Sequence, residues 1–186
     1  MNNINYFIHL LILFLLQIVI VDNIHLGSYF YLNIYILALY ILPYKVKGIP
    51  LLLFGFFLGL IMDLADNTVG IHAAASTFIA YIRPRLLQLT STREEIDDTH
   101  GEQGLTDVRW FLKYTFVSTL LFNIILIFAE AFTFNDILIS IIRIILSTFI
   151  SMLFMLLYYF IGIKKVQQWK RDFNRLMNSW NEQIRV

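Results

Sequence analysis

Hydrophobic positions in this chain run in long blocks separated by short polar breaks, without the strict alternation of half-buried strands. The blocks cover about residues 4–21, 29–44, 49–65, 69–87, 110–132 and 137–163. A helix needs about 20 apolar residues to cross the hydrocarbon core of a bilayer, so six such helices account for most of the chain. No Lys or Arg precedes the first block, and no small-residue cleavage pattern follows it at Asp22-Asn23-Ile24. It is therefore expected to be a retained helix rather than a secretory signal. The third block enters through Gly48 and Pro50, as a helix's first turn tolerates proline. The second block is short, and so is the fourth if it stops at Ile82. The fourth extends past Arg83-Pro84-Arg85 to Leu86 and Leu87. The expected architecture is an all-α integral membrane domain over residues 1–163, a bundle of six transmembrane helices, followed by a tail over residues 164–186.

Composition narrows the function classes. Of 186 residues, 59% are hydrophobic and 15% charged, against about 45–50% and 25% in soluble domains. Disorder requires the opposite balance, and continuous apolar runs argue against an outer-membrane barrel. The chain has no cysteine, which removes disulfides, thiolate metal sites and cysteine nucleophiles. It also lacks a P-loop, a nucleophile elbow and a His-Glu-x-x-His helix. No enzymatic activity, cofactor or metal is expected.

Charge sets an orientation. Lys45 and Lys47 follow the second block; Arg83, Arg85, Arg93, Arg109 and Lys113 lie in or beside the loop between the fourth and fifth; Lys164, Lys165, Lys170, Arg171, Arg175 and Arg185 follow the sixth. The alternate connections contain no cation, and the remaining basic residue, Arg143, falls inside a block. The positive-inside rule then puts the basic side, and both termini, in the cytoplasm. Topology explains the basic residues, so they give no support to nucleic-acid binding. The loop over residues 90–108 is acidic and polar, with Gly101 and Gly104, and is expected to be solvated. In the tail, Trp169, Phe173, Leu176, Trp180 and Ile184 recur at helical spacing, forming an amphipathic helix with cations on its other faces. Its expected contact is anionic lipid of the inner leaflet, or a cytoplasmic partner.

Several polar and small residues interrupt the blocks. Gly55 and Gly59 form a small-xxx-small pair, with Gly70 and Ala74, Ala73 and Thr77, and Ser76 and Ala80 as counterparts in the next helix. The third and fourth helices are expected to pack as a tight hairpin. At its turn, Asp63 and His72 form an acid–base or metal pair on one reading. On the other, Asp66-Asn67 is a turn, Thr68 an N-cap, and Asp63 and His72 interfacial polar residues; two ligands are few for a metal site. The fifth block carries Thr119, Asn123 and Glu130, and the sixth Ser140, Arg143, Ser147 and Ser151, each set along one helix face. Arg143 sits about 10 Å into its helix, where a cation costs a few kcal/mol unless it is partnered. Glu130 and Asp63 are its candidate counter-charges. The cluster is read either as an ion or substrate pathway, or as a structural pair or polar patch for a partner helix. His9, with Asn5 one turn before it, is expected to make a helix–helix hydrogen bond.

The order of residues from Gly55 to Tyr81 resembles the rod shape-determining protein MreD family. A glycine-rich apolar helix ending Gly59-Leu60-Ile61-Met62-Asp63 is followed by a short polar turn and by Gly70-Ile71-His72-Ala73 opening a small-residue helix. By that resemblance Gly59, Asp63, Gly70 and His72 are family-motif residues and candidates for partner binding. It further implies a fold like the substrate-binding subunits of energy-coupling-factor transporters. The implied role is a non-catalytic adaptor in the bacterial cytoplasmic membrane that regulates cell shape. Its implied partners are the bitopic protein MreC, the MreB filament and the RodA–transpeptidase pair that builds peptidoglycan. The alternative is a transporter subunit that binds a vitamin-like small molecule.

Overall fold

The computed structural model describes residues 3–21, 31–42, 46–90, 108–131 and 137–164. The amphipathic tail with Trp169, Phe173, Leu176 and Trp180, and the acidic loop, lie outside the described residues. Among the described residues all regular structure is helical. α1 is Asn3–Leu16 and continues as a π-helix over Gln17–Val21. α2 is the short Leu37–Tyr40, α3 is Ile49–Asp66 and α4 is Ile71–Thr90. α5 is Val108–Ala131, and α6 is Ile137–Tyr158 with a π-helical extension over Tyr159–Lys164. Among the described residues three helices, Ile49–Asp66, Val108–Glu130 and Ile137–Gly162, are long and apolar enough to cross a membrane, and Ile8–Val19 is a shorter apolar helix.

Polarity is inverted relative to a water-soluble bundle. α6 exposes Leu138, Phe149 and Leu153, each more than half accessible, while its Ser140, Ser147, Thr148 and Ser151 are buried. α3 likewise turns Leu53, Phe57, Ile61 and Leu64 outward and Asp63 inward. Exposing one such side chain to water forgoes about 1.5–3 kcal/mol of burial free energy, so a whole outward band of them fits an apolar solvent. Interior polar groups must then find partners within the chain.

α3 and α4 make the most extensive helix pair, followed by α4 with α5 and α5 with α6. Gly48, at φ +68°, turns the chain into α3, with Pro50 in the first turn. Asn67 ends it in the left-handed region at φ 53°, its N–H donating to the Asp63 carbonyl. α4 continues past Pro84, so Arg83 stands inside the helix, and it is 2% exposed. Its guanidinium donates to the Leu42 carbonyl and lies beside Tyr114 of α5.

The second apolar block departs from the expected helix. Residues 31–34 have no regular structure, Tyr35-Ile36 form a turn, and only Leu37–Tyr40 are helical. This segment is nonetheless the centre of the core: every residue from Leu32 to Ile41 is buried. Its aromatic and β-branched side chains are weak helix formers, and its neighbours offer the backbone other hydrogen-bond partners.

Candidate functional site

Residues 31–36 bring a non-helical backbone into the apolar interior, and two helices meet it from two sides. On one side the Tyr31 N–H donates to Ser147 Oγ at 2.9 Å, and the Asn33 N–H to Ser151 Oγ at 3.0 Å. Two residues of extended chain rise about 6.6 Å and one helical turn about 5.4 Å. Alternate amides of the segment thus meet successive turns of α6. On the other side Gln17, at the start of the π-helical turn, acts as a neighbouring strand would. Its Nε2 donates to the Leu32 carbonyl at 2.8 Å and its Oε1 accepts the Ile34 N–H at 2.9 Å. Asn33 Nδ2 donates to Asn123 Oδ1 at 3.1 Å, and Asn123 Nδ2 to Thr148 Oγ1 at 3.1 Å. The predicted polar stripes of α5 and α6 therefore converge, and what they hold is the chain's own non-helical segment.

The α3–α4 joint adjoins this network. Gly59 packs so close to α4 that an added Cβ would lie 2.4 Å from the His72 carbonyl oxygen and 2.5 Å from Ala73 Cα. At Gly55 it would lie 2.8 Å from Ala80 Cβ and 2.9 Å from the Ser76 carbonyl oxygen. One turn beyond Gly59, the buried Asp63 carboxylate closes the joint. It accepts the backbone N–H groups of His72 at 3.0 Å and Ala73 at 2.8 Å, and the Thr68 hydroxyl at 2.6 Å. A carboxylate on the first free N–H groups of a helix satisfies them and opposes the positive end of the helix dipole. Gly70, at φ +77°, redirects the chain between the two helices.

His72 links the joint to the central segment. Its Nε2 faces Asp66 Oδ2 at 3.3 Å and its Nδ1 lies 2.9 Å from the Tyr35 hydroxyl. In a neutral imidazole the proton sits on the nitrogen facing the carboxylate, and the phenol donates to the other. Asp66, His72 and Tyr35 thus form a continuous array from an exposed carboxylate to a fully buried phenol.

The predicted residues sort accordingly. Gly55, Gly59, Asp63, Gly70 and His72 come together at the joint, but Asp63 takes backbone N–H groups while the His72 ring points elsewhere. Thr68, expected to cap α4, donates to Asp63 instead, and Asp63 is the cap. Ala74, expected in the helix contact, is exposed; the contact face follows His72, Ala73, Ser76 and Ala80, and Ala74 lies off that line. Glu130 and Arg143 both reach Tyr31: its hydroxyl donates to Glu130, and the Arg143 guanidinium carbon lies 5.7 Å from its ring centroid, within cation–π range. Asp63 is committed to α4 and is not the counter-charge. His9 bonds across helices as expected, to the Tyr158 hydroxyl at 2.6 Å.

Sequence reasoning missed Gln17, Tyr31, Asn33 and Tyr35. The signal was present in part: Gln17 and Asn33 are amides set deep within apolar blocks, and each such amide needs a partner. Comparison with protein-family profiles, curated proteins and solved structures returns no match for this chain.

Proposed function

We propose that this chain is a non-catalytic adaptor of the MreD type in the bacterial cytoplasmic membrane. It crosses the bilayer six times with both termini inside, and joins an MreC-like bitopic protein to the MreB filament and the RodA–transpeptidase pair. The observation that carries this reading is the joint itself. Gly59, Asp63, Gly70 and His72, the motif residues of that resemblance, form one continuous lock between α3 and α4. The lock fixes two helices as a rigid plate whose outward apolar face is free to meet a partner's membrane helix. The bundle's polar groups also favour an adaptor over a subunit that captures a small molecule. Gln17, Asn123, Ser147, Thr148 and Ser151 are spent on residues 31–36 and on each other, so the chain's own segment fills the place where they converge. The outward faces of α3 and α6 then supply the association surface.

The test is co-purification from the native host in mild detergent. An MreC-like partner retained in stoichiometric amount is the expected result, with loss of rod shape on depletion. A stable, partner-free monomer whose depletion leaves cell shape unchanged overturns the reading.

A further inference from the structure

The two nitrogens of one imidazole stand between the α3–α4 joint and the central segment. His72 Nε2 faces the Asp66 carboxylate at 3.3 Å, and Nδ1 lies 2.9 Å from the hydroxyl of the fully buried Tyr35. One turn along α4 from His72, Ser76 Oγ is buried as well. It is close enough to act on the same phenol, yet it has no hydrogen-bond partner among the described residues. A buried hydroxyl left unpartnered costs free energy. A histidine that only held Tyr35 in place would account for the Nδ1 contact but not for the unused Ser76 beside it.

The two protonation states of the ring use these groups differently. With a neutral ring, Nε2–H donates to Asp66, Tyr35 donates to Nδ1, and Ser76 is left over. With a second proton on Nδ1 the ring has only donors, so the O–H···N bond breaks. The Tyr35 oxygen then accepts the new N–H, and its own proton turns to Ser76 Oγ. The phenol stays neutral, and the added charge sits on an imidazolium beside the Asp66 carboxylate. We propose that Asp66, His72, Tyr35 and Ser76 form a two-position hydrogen-bond switch, thrown by one proton taken up from the solvent at the α3–α4 turn. The protonated position has one more hydrogen bond and an ion pair, so it ties the central segment more firmly to the joint.

The groups around the ring suit such a switch. From α3 come Asp66 and Asp63, the latter accepting the His72 backbone N–H, and from α5 Glu130 acts on the ring across space. The central segment supplies Tyr35 and, bonded to Glu130, Tyr31; α6 supplies Arg143, which lies over the Tyr31 ring. Burial opposes a charge on the imidazole, and the three carboxylates favour one. That balance brings both positions within reach of solution pH. The switch needs no partner protein, so it stands or falls apart from the adaptor reading.

The experiment is NMR of the full-length protein in neutral detergent, isotopically labelled at the histidine nitrogens and at tyrosine Cζ. It is titrated from about pH 8 to about pH 4.5. His72→Gln and Tyr35→Phe identify the two signals by their loss. At the alkaline end His72 is expected to carry its proton on Nε2 alone. On acidification Nδ1 is expected to gain a proton, and the Tyr35 signal to move at the same midpoint. Ser76→Ala strands the phenol proton in the acid state only, and is expected to weaken proton uptake about tenfold, lowering the midpoint by about one pH unit. Asp66→Asn keeps an acceptor for Nε2–H but removes the counter-charge, and is expected to lower the midpoint by about one pH unit too. A wild-type His72 that stays neutral to about pH 4.5, or one that titrates while Tyr35 does not respond, overturns the proposal. So does a proton on Nδ1 at the alkaline end, or a Ser76→Ala midpoint equal to that of wild type.

Discussion

Gln17 holds Ile34 as a strand would hold its neighbour: the side-chain carbonyl accepts the Ile34 N–H at 2.9 Å while the same amide donates to the Leu32 carbonyl. Gln17→Met keeps the length of the side chain and removes both bonds. Each buried backbone group left without a partner costs about 1–3 kcal/mol. The variant is expected to unfold earlier in detergent, and amide exchange at residues 32–35 is expected to accelerate while α3 is unchanged. Hydrogen-exchange mass spectrometry reads both.

Asp63 is predicted to matter as an acceptor of backbone N–H groups. Asp63→Ala strands the N–H groups of His72 and Ala73 and is expected to cost about 1–3 kcal/mol. Asp63→Asn keeps one carbonyl acceptor and is expected to lose roughly half as much. Thermal unfolding in a fixed detergent gives the order; equal loss from both variants would point to the charge rather than the cap.

Gly59 and Gly55 should respond to added volume in a fixed order. A methyl at Gly59 meets backbone atoms at 2.4–2.5 Å, which cannot yield without separating the helices, whereas at Gly55 the approach is 2.8–2.9 Å. Gly59→Ala is expected to cost about 1–3 kcal/mol and more than Gly55→Ala. Ala74→Leu, on the exposed side, is expected to be neutral. The ranking is checked by unfolding midpoints of the three variants.

These substitutions separate what the sequence revealed from what it did not. α3, α4, α5 and α6 lie over the third to sixth apolar blocks because long apolar runs with Gly, Pro and polar breaks leave few other solutions. The close α3–α4 contact was legible in Gly55 and Gly59. Its register was not: whether Ala74 or Ala73 faces α3 depends on a rotation of about 100°, and small residues on every side of α4 leave that rotation open. The Asp63 cap was hidden for a related reason, since Thr68 is equally suited to cap a helix and only the turn geometry chooses. Residues 31–36 were read as helix because hydropathy reports burial and not backbone conformation. The partners that make a non-helical path affordable, Gln17, Ser147 and Ser151, are distant in sequence.

Arg143 and Glu130 meet around the Tyr31 ring. Arg143→Leu is expected to lower accumulation of the protein more than any substitution in the loop over residues 90–108. Tyr31→Phe keeps the ring under the guanidinium and loses only the hydroxyl bond, so it is expected to have a smaller effect. Membrane-fraction immunoblots of the two variants make the comparison.

The proposed function requires a bilayer-embedded bundle with the α3–α4 turn outside and the basic connections inside. The absence of native cysteine allows it to be tested at single positions in intact cells with an impermeant thiol reagent. Cysteine at Asn67 is expected to label from outside, and cysteine at Thr99 only after the membrane is opened. Thr99→Cys labelled in intact cells, or Asn67→Cys protected until lysis, would contradict the account.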